Sequence, residues 1–138
     1  MTIVRAVPSC ENRPGGCRLS AAGPTNPQDV GGGLPWQSIG AFLRIATHPR
    51  VTRNPLSTED AWGYVQSWLD ADPTWVPPAT GRTAAVLARL MRAAPITGNL
   101  VTDAQLAALA IEHGLVVLTA DTDFARFAEV RWTNPLLG

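Results

Sequence analysis

One uninterrupted apolar run that includes β-branched residues, LVVLT at 115–119, constrains the fold of this chain more than any other segment. Runs of this kind are typical of strands in parallel sheets that are buried on both faces by helices. A helical pattern precedes it, beginning at Asp103 and ending at Gly114, where a left-handed cap is expected. Residues 130–132 read as a final edge strand. The order of helix, strand and turn predicts an α/β fold.

Three further amphipathic helices are predicted upstream of this unit. The first follows Pro35 and ends before His48, and the second is capped by Ser57 or Thr58 with acidic residues in its first turn. The third spans residues 82–93, with apolar residues on one face and arginines largely opposite. Four tryptophans are expected to serve core or dimer packing rather than base stacking, namely Trp36, Trp62, Trp68 and Trp75.

The first 33 residues have a different character from the rest of the chain. Residues 8–33 hold four Pro and six Gly, with no aromatic residue and no sustained periodicity, so a loop or poorly ordered segment is expected. Residues 2–7 form a candidate first strand interrupted by one charge. The predicted division is therefore an atypical segment, 1–33, followed by one patterned domain, 34–138. Cys10 and Cys17 are interpreted as free thiols, a disulfide or metal site being the less favoured alternative.

Composition and charge exclude several classes of protein. With 46% hydrophobic and 16% charged residues, the chain is neither a disordered tail nor a strongly basic nucleic-acid arm. No apolar run reaches the ~18–20 residues of a membrane helix and no signal-peptide pattern begins the chain, so a soluble cytoplasmic protein without membrane contact is expected. The net charge of zero combines six Arg and two acids in residues 1–58 with five Arg and nine acids in residues 59–138, which is typical of two surfaces of opposite sign.

Three aspartates are the sharpest candidates for chemistry. Asp121 and Asp123 directly follow the predicted buried strand, where the carboxyl ends of parallel strands hold ligands, and Asp103 begins the preceding helix. Hard divalent cations such as Mg²⁺ or Mn²⁺ take carboxylate, water and phosphate oxygens, and they promote phosphodiester hydrolysis. The alternative is that all three aspartates only cap a helix and a turn, and spacing alone favours that alternative.

Six short motifs follow one another from residue 34 onward: LPW (34–36), AFLRI (41–45), THPRV (47–51), TGNLVTDA (97–104), TADTDF (119–124) and RWTNPL (131–136). In this order and spacing, residues 34–138 resemble the PIN-domain ribonuclease toxins of VapBC toxin–antitoxin pairs. The resemblance implies an α/β/α sandwich around a short parallel sheet and Mg²⁺-dependent (or Mn²⁺-dependent) cleavage of RNA. It also implies a homodimer and inhibition by a cognate VapB-type antitoxin.

The resemblance also implies roles for particular residues. Asp103 and Asp121 correspond to metal ligands of the family, and Asp123 stands beside them as a supporting or alternative ligand. Arg44, on the first of the predicted helices, is the best candidate for an RNA contact. Alternatively, Arg44 is a solvated charge at a helix end, and the sequence favours neither this interpretation nor the RNA contact.

Two positions depart from the family pattern. Arg5 aligns with the aspartate that normally ends the first strand, and Ala41 aligns with the usual glutamate of the early helix. A cation at a ligand position would repel a divalent metal. Two hypotheses therefore stay open: an active metal-dependent endoribonuclease toxin, or an impaired PIN remnant that binds antitoxin or RNA without cleaving.

Overall fold

Four α-helices accompany a four-stranded sheet within the residues that the computed structural model describes, 3–6, 32–71 and 74–137. The helices are α1 (Trp36–Ala46), α2 (Thr58–Leu69), α3 (Gly81–Ala93) and α4 (Leu100–His113). The strands are β1 (Ile3–Ala6), β2 (Gly32–Gly33), β3 (Leu115–Leu118) and β4 (Trp132–Thr133). None of these helices combines the length and the apolar character needed to cross a bilayer. The predicted α/β class is confirmed.

The strands stand in the order β2-β1-β3-β4. β3 and β4 form the short parallel pair, in which Val117 lies opposite Trp132. β1 joins β3 in antiparallel register, so that Ile3 pairs with Leu118 at the carboxyl end of β3. Gly32–Gly33, expected to be loop, pairs with β1 as a short strand, because backbone pairing requires no side chain. The remaining predictions on residues 7–31, including those on Cys10 and Cys17, lie outside the described residues.

Local sequence signals account for most helix ends. The Ser57 hydroxyl caps α2 by accepting a hydrogen bond from the Asp60 N–H at 3.0 Å. Gly114 ends α4 with φ of 65°, as predicted for a left-handed cap. α4 begins at Leu100, three residues before the predicted start, because the turn at Gly98 and Asn99 already leads into the helix. Asp103 therefore lies in the first turn rather than at its start.

The main core lies between α3, α4 and β3, and a smaller one lies between α1 and α2. α4 is buried along most of its length by small and medium side chains, and Val117 of β3 is fully buried. Phe124 closes the main core from a 3₁₀ helix, Thr122–Arg126, that follows β3. α4 and β3 are thus the most firmly packed elements, and both carry a predicted site residue at or just beyond one end.

The tryptophans are not core residues in the way the sequence indicated. Trp36 and Trp62 are 57% and 44% exposed. Trp68 is partly buried with its ring 4.6 Å from that of Phe42, and Trp75 is partly buried against His113. On α1 and α2 it is Phe42 and Trp68 that pack against the smaller core, while Trp36 and Trp62 stay exposed. Core packing was the wrong expectation for these two, and dimer packing stays a prediction.

Gly114 and Gly63 form a matched pair for testing how backbone conformation affects stability. Gly114 has a left-handed backbone, whereas Gly63 lies inside α2, and a Cβ added at either would meet open space. We expect Gly114→Ala to lower the free energy of unfolding by about 1 kcal/mol, because alanine is strained in that conformation. Gly63→Ala should raise it by about 0.5–1 kcal/mol through helix propensity. Urea unfolding of both variants checks this, and shifts of the same sign would contradict it.

Candidate metal centre

Three carboxylates converge beyond the carboxyl end of β3. Asp103 comes from the first turn of α4, Asp121 from the loop after β3, and Asp123 from the 3₁₀ helix. One oxygen of each side chain lies within 4.8 Å of the others. The sequence left open whether these acids converge on a cation or only cap a helix and a turn, and the structure brings all three together.

Hydrogen bonds between nearby residues fix the turn that carries Asp121 and Asp123. The buried Thr119 accepts from the Asp121 N–H through its hydroxyl oxygen at 3.1 Å, and its own N–H donates to the carbonyl of Thr133 on β4 at 3.0 Å. Asp121 Oδ1 in turn accepts from the Asp123 N–H at 2.9 Å. Asp121 is therefore a cap, as the alternative interpretation held. Capping holds the carboxylate in place and is compatible with a ligand role.

The surroundings of Asp103 disfavour its ionised form. Burial raises the pKa of Asp103 above its ordinary value, and the neighbouring charges of Asp121 and Asp123 raise it further. A divalent cation would relieve this repulsion, and three carboxylates form the hard oxygen set that Mg²⁺ or Mn²⁺ prefers. The residues present thus fit such an ion.

Asp123 differs from the other two carboxylates because it has a cationic partner. Arg126 Nε donates to Asp123 Oδ1 at 3.2 Å, three residues away on the same 3₁₀ helix. Among the described residues, neither Asp103 nor Asp121 forms an ion pair. Sequence reasoning missed Arg126, although a basic residue three positions after an acid in a predicted helical turn was an available signal.

The other predicted site residues are not joined to the cluster by any described contact. Arg44 is exposed in the last turn of α1. Arg50 and Arg53 are exposed in the segment after α1, and none of the three forms an ion pair with the described residues. Ala41 is half-buried on the same helix. An RNA contact by Arg44 stays a prediction.

The backbone pairing of β1 places Arg5, the residue that the sequence aligned with a family ligand, within the sheet. Arg5 pairs with Val116, and it is Ile3 that pairs with Leu118 next to the cluster. Because β1 runs antiparallel to β3, its carboxyl end points towards the amino end of β3. The assignment of Arg5 to a ligand position of the family stays a prediction.

A second polar cluster joins the opposite end of α4 to the start of α3. The Glu112 carboxylate accepts hydrogen bonds from the hydroxyls of Thr80 and Thr83, and a ring nitrogen of His113 lies 2.9 Å from the carbonyl oxygen of Pro78. Desolvation by itself would raise the pKa of Glu112. The two hydroxyl hydrogen bonds and the charges of His113 and Arg82 outweigh this effect, so the pKa of Glu112 is lowered. The cluster links α3 to α4.

Glu112→Gln should therefore destabilise the protein in a pH-dependent way. A carboxyl whose pKa is lower in the folded than in the unfolded state stabilises at neutral pH, and this contribution disappears as the pH falls through the folded pKa. We expect a loss of about 1 kcal/mol at pH 7, kept small by solvent screening. The loss should shrink towards pH 3. Urea unfolding at both pH values checks this, with the exposed Glu59→Gln as control, and an equal loss at both would contradict it.

Comparison with known proteins first identifies the class of domain. Residues 48–130 match the PIN-domain family model. The α/β architecture and the carboxylate cluster after β3 agree with that class.

Similar curated proteins define the family more narrowly. The chain is 41% identical over 104 residues to Ribonuclease VapC33 of Mycobacterium tuberculosis, covering 75% of this chain and 73% of VapC33. It is 41% identical over 103 residues to Ribonuclease VapC37 of the same species, covering 75% and 72%. VapC ribonuclease Mb2897 of Mycobacterium bovis is 37% identical over 106 residues, covering 77% and 72%. The chain belongs to the VapC-type PIN-domain ribonuclease family, and the resemblance found in its motifs is confirmed.

Proposed function

We propose that this chain is a divalent-metal-dependent endoribonuclease and the toxin of a type II toxin–antitoxin pair. The observation that carries the proposal is the convergence of Asp103, Asp121 and Asp123 within 4.8 Å in a VapC-type PIN domain. The relatives are named as ribonucleases. A cluster of carboxylates with one raised pKa is a frequent mark of a catalytic metal site.

Asp103 and Asp121 would hold Mg²⁺ or Mn²⁺, with Asp123 as a supporting ligand beside them. When bound, such an ion supplies polarisation of a phosphoryl oxygen and a more acidic water. The chain's part is to present its carboxylates without rearrangement. α4 holds Asp103 in a partly buried position, and the Thr119 hydroxyl and the Asp123 N–H together fix Asp121. Such preorganisation is the main protein contribution to electrostatic catalysis.

The substrate class is RNA, and the proposed site of action is the cytoplasm. Exposed arginines without ion-pair partners among the described residues, Arg44 above all, would neutralise backbone phosphates along a path to the cluster. A VapB-type antitoxin would inhibit the enzyme. A homodimer would cover part of the exposed apolar surface around α1 and α2, which includes Trp36, Ile45 and Trp62.

The test is RNA cleavage by the purified chain in Mg²⁺ or Mn²⁺ and in EDTA. Cleavage that requires the metal supports the proposal. RNA or antitoxin binding without cleavage under all conditions would instead establish the impaired remnant. Arg5→Asp sharpens the choice, because a gain of activity in this variant would show that Arg5 blocks the site.

A further inference from the structure

Arg126 lies directly beside the acidic cluster. Of the ion pairs among the described residues, it makes the one that involves a clustered carboxylate, with Nε 3.2 Å from Asp123 Oδ1. Its terminal Nη1 and Nη2 nitrogens form no hydrogen bond with the described residues. The side chain is 64% exposed, so those donors face solvent. Arg126 thus presents free guanidinium donors beside the proposed metal centre.

The position of Arg126 is set by the core. It is the last residue of the 3₁₀ helix, between the buried Phe124 and Phe127, whose rings lie 6.0 Å apart edge to face. Because two buried rings anchor this turn, the backbone of Arg126 is held in place against the cluster. A planar guanidinium on a fixed backbone is well suited to bind a phosphate group.

The charge balance of the cluster indicates what the Arg126 guanidinium does there. Three ionised carboxylates still exceed the charge of one divalent cation, so a metal-loaded cluster alone repels a phosphodiester. The Arg126 guanidinium cancels that excess. The same positive charge opposes the binding of the cation itself. Arg126 should therefore favour the anionic substrate and disfavour the metal.

We propose that Arg126 is a phosphate-binding residue that contacts the RNA backbone beside the metal centre. The inference rests on the proposed function, which supplies the substrate, and it adds a binding role to a residue outside the carboxylate set. A purely structural role, in which Arg126 only restrains Asp123, makes a different prediction. Loss of that restraint would weaken metal binding or leave it unchanged, and RNA affinity in the absence of metal would not change.

Arg126→Gln separates the two roles by effects of opposite sign. Removal of a like charge should tighten Mn²⁺ binding by about two- to fivefold, measured by calorimetry on the free protein. RNA binding, measured by fluorescence anisotropy in EDTA with a short single-stranded RNA that stays intact, should weaken by about three- to tenfold. The slope of log affinity against log salt should fall by about 0.7, the loss of one phosphate contact. Arg126→Lys should restore part of the RNA affinity because it keeps the charge.

Arg89→Gln is the matched control. Arg89 is also half-exposed and forms an ion pair with Glu129 at 2.6 Å. This pair lies away from the carboxylate cluster, because Glu129 lines a surface cavity with Gly114 and Leu115 at the amino end of β3. Neither affinity should change in this variant. Unchanged RNA affinity in Arg126→Gln, or weaker binding of both ligands, would overturn the inference. Absence of cleavage by the wild-type chain would contradict the proposed function instead, and it would leave both binding measurements decisive for Arg126.

Discussion

Asp103→Asn should abolish metal-dependent RNA cleavage while the protein stays folded. Asp103 is partly buried, and burial together with the charges of Asp121 and Asp123 raises its pKa, so a bound cation would strongly stabilise its ionised form. Loss of a metal ligand typically removes nearly all activity, here a decrease of about 100-fold or more in kcat/KM. The measurement is the rate of RNA cleavage in saturating Mn²⁺.

The stability of this variant provides the internal control. Because burial and like charges disfavour ionised Asp103, the neutral asparagine should leave the free energy of unfolding at pH 7 unchanged or raise it by up to about 1 kcal/mol. Asp70→Asn, at the exposed end of α2, should retain full cleavage. Wild-type rates in a folded Asp103→Asn protein would remove Asp103 from the site.

Phe124→Ala should cause the largest loss of stability among the variants considered. Phe124 is 0% exposed in the core between α3, α4 and β3, and its ring packs edge to face on Phe127. Truncation of a fully buried phenylalanine costs about 3–5 kcal/mol, a large share of the stability of a domain of this size. Urea unfolding followed by tryptophan fluorescence measures the loss.

The same substitution also tests how the core supports the site. Phe124 directly follows Asp123, so its loss should weaken Mn²⁺ binding even under conditions where the variant is folded. Leu136→Ala, at a position 79% exposed, should change stability by less than about 0.5 kcal/mol and leave metal binding intact. Similar small losses in both variants would show that Phe124 is not the anchor of this turn.

Much of the site was predictable because its signals are local. The buried run at 115–119, the left-handed Gly114 and the aspartates that follow the strand each reflect short-range rules of strand burial, capping and sheet-edge chemistry. The Ser57 cap and the bounds of α1 were predictable for the same reason. The convergence of Asp103 with Asp121 followed from the order of a helix and an adjacent strand.

The features that escaped prediction depend on contacts between distant residues. No periodicity in residues 2–7 encodes whether β1 pairs parallel or antiparallel to β3. The hydrogen bonds of Glu112 to Thr80 and Thr83 join positions 29 to 32 residues apart. The exposure of Trp36 and Trp62 depends on which face of each helix meets its neighbour, and aromatic content alone does not decide this.

Calorimetric titration of the free protein with Mn²⁺ measures directly whether the carboxylates form a metal centre. We predict one Mn²⁺ bound per chain, with binding lost in Asp103→Asn and retained in Arg89→Gln. Equal binding by wild type and Asp103→Asn, or no binding by the folded wild-type chain at millimolar Mn²⁺, would contradict a metal centre built from Asp103, Asp121 and Asp123.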